Sequence, residues 1–159
     1  MATDAVAALE LVKAAGLGQS LLSMAPHDEL IELADLHGLT GFFDAVQGFK
    51  GGSNSKRDNL RTHLDHLGVA AENTALIGDA LDDFEVSTAL GVLPVLVATG
   101  MYSEERLIET GARVEQSLLG ALKGLLWQTW NRNWSPIWLK MPICQTVATT
   151  SRICAASRC

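Results

Sequence analysis

The sequence predicts an α/β fold in which a parallel sheet carries helices on both faces. Three observations point there. Short apolar runs at residues 19–24, 74–78 and 94–98 show no polar alternation, as strands buried on both faces do. Between them lie segments with apolar residues three and four apart, the spacing of amphipathic helices. Glycine or proline punctuates nearly every junction. A hydrophobic fraction of 48% against 19% charged residues suits a packed core and excludes disorder along most of the 159 residues.

The elements follow in order. Residues 5–15 place Val6, Leu9 and Val12 on one face, with Glu10 and Lys13 opposite, and Gly16 and Gly18 stop the helix. The first strand is 19–24. Pro26 introduces a second helix with Leu30, Ile31, Leu33, Ala34 and Leu36, ended by His37-Gly38. Residues 45–48 form a short strand, and 51–55 read as a loop. Leu60, Leu64 and Leu67 mark a third helix, stopped by Gly68. The strand at 74–78 runs into an acidic turn and a helix through Phe84, Val86 and Leu90 to Gly91. A strand at 94–98 and a helix from Ser103 to Gly111 complete the alternation, which contains no internal repeat.

Composition breaks near residue 120. All four tryptophans and all three cysteines lie beyond it, and from Ala121 onward there are five basic residues and no acid. Residues 1–120 hold the other seven basic residues against all 18 acids. The overall charge of −6 argues against a phosphate-gripping nucleic-acid binder. No apolar stretch up to Lys123 is long enough for a membrane span, and the N-terminus has no basic region before an apolar core. The expected location is cytoplasmic.

Trp127, Trp130, Trp134 and Trp138 share one helical face until Pro136 breaks it. Such a face covers a bare surface, self-associates or meets a partner, or else lies outside the evolved fold. Beyond Met141 the chain has no periodicity, and residues 124–159 are read as a tail outside the main fold, residues 1–123. Cys154 and Cys159 form no C-x-x-C pair and are expected to be reduced thiols or adventitious disulfides.

Ligands of open α/β sheets sit beyond the carboxyl ends of the strands. Ser23 ends the first strand ahead of a helix, a suitable phosphate seat or an ordinary cap. In Gly78-Asp79-Ala80-Leu81-Asp82-Asp83, carboxylates about one turn apart can hold Mg2+ by oxygen ligation; equally, Asp79 can cap the next helix while Asp82 and Asp83 favour its positive end. Lys56, beside Arg57, can reach over the strand tips to neutralise phosphate or carboxylate, or can be a solvated lysine; Lys50 is a weaker candidate. His63 and His66, three apart on a helix, read as surface histidines, while His27 is the histidine placed to touch a ligand.

Ser23, Lys56 and Gly78-Asp79-x-x-x-Asp83, in that order at strand-to-helix junctions, resemble the haloacid dehalogenase superfamily of phosphohydrolases, closest to its phosphoglycolate phosphatase-like branch. The likeness covers residues 5–123. It implies a Rossmann-like core in which Ser23 binds the phosphoryl group, Lys56 is the catalytic lysine that stabilises charge, and Asp79 and Asp83 hold Mg2+. It further implies Mg2+-dependent hydrolysis of a small phosphorylated metabolite, a phosphate monoester. The family's first motif, Asp-x-Asp-x-[Thr/Val], supplies the nucleophile and does not occur here. The chain therefore reads as a partial core, without the central first strand and the cap domain, inactive alone. The alternative is a non-catalytic binding module that associates through the tryptophan-rich tail. With the central strand missing, the Ser23 and Asp79 strands are expected to close on each other, or the chain to fold poorly. A tail segment paired between them would instead make the tail part of the fold.

Overall fold

The computed structural model describes residues 3–52, 55–131 and 145–148. Among the described residues, six parallel strands form one sheet: β1 (Gln19–Pro26), β2 (Ala45–Phe49), β3 (Thr74–Gly78), β4 (Leu93–Val97), β5 (Arg113–Glu115) and β6 (Gln145–Ala148), in the order β2-β1-β6-β3-β4-β5. The helices are α1 (Thr3–Ala14), α2 (His27–Leu36), α3 (Lys56–Leu67), α4 (Leu81–Leu90), α5 (Glu104–Ile108) and α6 (Leu118–Asn131).

Successive residues of β3 point to opposite faces and divide the core in two. Ile77 joins Val95 and Val97 of β4 beneath Ala8 and Val12 of α1 and Ala121 and Leu122 of α6. Leu76 and Leu22 pack on the other face against Leu60 and Leu64 of α3, with Val86 and Leu90 of α4 alongside. Helices thus cover both faces, as the apolar strands require. Gly68 and Gly91 end α3 and α4 with φ of 66° and 76°, a backbone region that glycine enters without a Cβ penalty.

The centre of the sheet departs from expectation. β1 and β3 do not close on each other. Gln145–Ala148 lies between them, pairing Thr146, Val147 and Ala148 with Gln19, Ser20 and Leu21 on one side. On the other, residues 145–148 pair with residues 74–77. Two buried inner edges would leave backbone N–H and C=O groups unpaired, at about 1–3 kcal/mol each. A strand from the tail removes that cost. α6 also runs through residue 123, with Ala121 and Leu122 buried, and Trp127 on it is 66% exposed. The side chains of Trp130, Trp134 and Trp138 and all three cysteines lie outside the described residues. Among the described residues, no helix is long and apolar enough to cross a membrane.

His63, read as a surface residue, is fully buried. Its face of α3 also holds Asn59, Leu60 and Leu64. Gln47 Nε2 donates to the Asn59 carbonyl (3.3 Å), which turns Gln47 Oε1 to His63 Nδ1 (3.1 Å). Nδ1 must then carry the hydrogen, and Nε2 accepts from Ser20 Oγ at 2.9 Å. Burial, and next the neighbouring His66, lower the His63 pKa from 6.5 to about 4. The unfolded state therefore binds an extra proton between these values. Stability is expected to fall as pH drops below 6.5 and to level off below about 4, a loss of about 3 kcal/mol from this group. Urea unfolding at pH 7 and pH 4 should show a drop smaller by about that amount in His63→Gln. An equal drop in both would exclude His63 as its source.

Candidate phosphate and metal site at the strand ends

Ser55 starts α3. Its Oγ accepts the Asp58 N–H and the Asp58 carboxylate accepts the Ser55 N–H, both at 3.2 Å, a reciprocal cap. The bonds from Ser55 hold the Asp58 carboxyl below the usual range. This fixes Lys56 as the first helical residue and aims it across the strand ends. Lys56 Nζ lies 2.6 Å from Asp83 Oδ1 and 2.8 Å from Asp82 Oδ1. The lysine side chain is 16% exposed and that of Asp83 1%, so Lys56 is not a solvated surface lysine. Burial alone would lower its pKa; the Asp83 charge and the hydrogen bonds to Asp82 and Asp83 outweigh that and raise it above 10.5.

The acidic turn after β3 is built around two glycines. A Cβ on Gly78 would overlap the Asp83 carboxylate, and one on Gly100 would meet the Asp79 carboxylate. Each glycine thus makes room for one buried acid. Asp79 does not cap α4, because the cap position is Ala80. Asp83 takes that part: its Oδ2 accepts the Ala80 N–H at 3.0 Å. Asp82 is more exposed and touches only the lysine side of the group.

Ser23 lies within β1, which runs on to Pro26, and is half-buried. Its Oγ accepts the Ala25 N–H at 3.1 Å and makes no cap to α2, whose cap position is Pro26. Thus Lys56, Asp82 and Asp83 are brought into contact, with Asp79 at the same strand end, while Ser23 lies within β1, on the other side of β6. Among the described residues, no three His, Cys, Asp or Glu side chains converge as a metal cluster. Two buried carboxylates in glycine-lined space nevertheless fit Mg2+, a hard ion that keeps several waters and often takes only one or two protein carboxylates. Nothing local in the sequence links Gly100 to Asp79; the fold alone brings them together.

Residues 56–121 match the HAD-hydrolase-like family model. No curated protein matches the chain. Among solved structures, the chain resembles a predicted phosphatase from Clostridium acetobutylicum, with a TM-score of 0.74 and 23% identity over 79% of this chain and 59% of that one. It resembles a haloacid dehalogenase-like hydrolase from Streptococcus pneumoniae with a TM-score of 0.71 and 17% identity, over 77% of this chain and 59% of that one. The third is a Rhodobacter sphaeroides protein, CbbY, in complex with xylulose 1,5-bisphosphate, with a TM-score of 0.61 and 19% identity over 72% of this chain and 52% of that one. The chain spans less than two thirds of each of these structures, and at these identities the likeness is one of fold. The chain has the α/β fold of these structures, and its segment from Lys56 through Ala121 carries the sequence pattern of the HAD-hydrolase-like family model.

Proposed function

We propose that the strand-end group is the phosphate and Mg2+ site of a haloacid dehalogenase-type phosphohydrolase acting on a small phosphate monoester of the phosphoglycolate kind. The observation that carries this reading is the buried contact of Lys56 with Asp83, 27 positions apart, at the carboxyl end of β3. An ammonium held there by carboxylates is a cation already in place for an arriving phosphoryl group, so no second cation has to be buried with it. In this reading Asp79 is the carboxylate ligand of Mg2+ and Asp83 the second acid, which also positions Lys56. Bound Mg2+ would neutralise charge on the phosphoryl oxygens. Ser23 would donate its hydroxyl hydrogen to a phosphoryl oxygen while its Oγ keeps the bond it accepts from the Ala25 N–H.

Phosphoryl transfer in this family needs an attacking carboxylate on the central strand. Here that place in the sheet belongs to β6, whose residues are Gln145, Thr146, Val147 and Ala148. No acid occurs anywhere from residue 121 to 159. The 159-residue chain is therefore proposed to bind Mg2+ and phosphate without turning over phosphate esters. Calorimetry should show weak Mg2+ binding that Asp79→Asn reduces about tenfold or more, and p-nitrophenyl phosphate should not be hydrolysed. Equal Mg2+ binding by wild type and Asp79→Asn would remove Asp79 from the site. Hydrolysis abolished by Ser23→Ala would show that another group attacks.

A further inference from the structure

A second polar site lies along α3. Asn59, Thr62, His63 and His66 occupy one helical face, and with His27, Lys50 and residues 45–48 of β2 they line a cavity of about 350 Å3 beside the edge of the sheet. None of its lining residues is acidic, although the chain carries 18 acids against 12 basic residues. Asp28, Asp44, Asp58 and Asp65, each next in sequence to a lining residue, are exposed and do not line it.

The donors are set by the fold. His27 Nδ1 accepts the Gly48 N–H at 3.1 Å, so the hydrogen of its neutral ring sits on Nε2. That bond needs close approach: a Cβ on Gly48 would run into the His27 backbone at 2.6 Å and the Ala25 carbonyl at 2.7 Å. His63 is spent on Gln47 and Ser20 and offers the cavity no donor. Lys50 has no carboxylate within ion-pair distance among the described residues. An ammonium, imidazole N–H groups and the Thr62 hydroxyl therefore border a cavity without an opposing carboxylate.

We propose that this cavity binds a small oxyanion, the phosphate or carboxylate group of a metabolite, on Lys50, His27 and Thr62. It is not the strand-end group itself: neither Ser23 nor Lys56, Asp79, Asp82 or Asp83 lines it. The proposal does not depend on Mg2+ or on phosphoryl transfer.

Proton NMR of the imidazole C2–H signals tests it on the full chain at fixed pH, with inorganic phosphate in one titration and succinate in the other. Saturable shifts of the His27 and His66 signals are expected with at least one anion, and that anion identifies the group recognised. Lys50→Ala, a change at an exposed residue, should weaken binding about tenfold, as loss of one charge-assisted contact does. Ser23→Ala should leave it unchanged. The proposal fails if neither anion shifts these signals, or if binding survives Lys50→Ala and is lost in Ser23→Ala. The last result would place the anion at the strand ends alone, leaving the phosphohydrolase reading intact.

Discussion

Replacing Val147 with proline is expected to unfold the chain or leave it associating through exposed strand edges. Val147 is the middle of a strand paired on both sides, opposite Ser20 of β1 and Leu76 of β3. Proline has no N–H for the ladder and is confined to edges and bulges in natural sheets; a central one leaves a buried carbonyl unpaired, at about 1–3 kcal/mol, and its ring disturbs the pairing on either side. If the strand leaves, both inner edges lose their partners along β1 and β3. Several losses of about 1–3 kcal/mol each then approach the whole stability of a domain, about 5–15 kcal/mol. Amide hydrogen exchange is the direct measurement. In the wild type, residues 19–21 and 74–77 should be strongly protected; in Val147→Pro they should exchange with the rest of the chain. Unchanged protection in a monomeric variant would mean that β6 contributes little and that residues 124–159 are dispensable, as their composition alone suggests.

Lys56→Met is expected to destabilise the metal-free chain by about 3 kcal/mol and to make it depend on Mg2+. The substitution keeps most of the aliphatic stem but removes the cation that faces Asp83, whose side chain is 1% exposed. Taking one partner from a buried ion pair costs about 3–5 kcal/mol, because the remaining charge keeps its desolvation penalty; the slight exposure of the lysine places the effect at the lower end. The Lys56 pKa lies above 10.5, so the wild-type contribution is fully present below that pH and is lost as pH rises through the folded-state value. A divalent ion at Asp79 and Asp83 would replace the missing charge. Added Mg2+ should therefore raise the melting temperature of Lys56→Met more than that of the wild type. A larger rise in the wild type would show that the acids do not share an ion.

How much of this was legible in the sequence follows from where each signal resides. Asp83 could be placed at the carboxyl end of a strand because Gly78-Asp79-x-x-x-Asp83 directly follows an apolar run. Lys56 could be placed only by its order in the chain. The capping pair Ser55 and Asp58, four residues of local sequence, then aims it at Asp82 and Asp83. His63 was misread because its polarity outweighed its position. It lies three residues from Leu60 and one from Leu64, on their side of the helix, and burial became tolerable only once Ser20 and Gln47 met its two nitrogens.

The sequence by itself determined β1, β3 and β4, whose short apolar runs can be buried on both faces of a sheet, and the helices that glycines end. It determined too that no Asp or Glu occurs from residue 121 to 159. The tertiary structure decided β5, three residues too short for any pattern, and above all β6. Gln-Thr-Val-Ala has no strand periodicity. It is a strand because β1 and β3 present two facing edges of unpaired N–H and C=O groups, and pairing those edges is a demand of the whole sheet, written in no single segment.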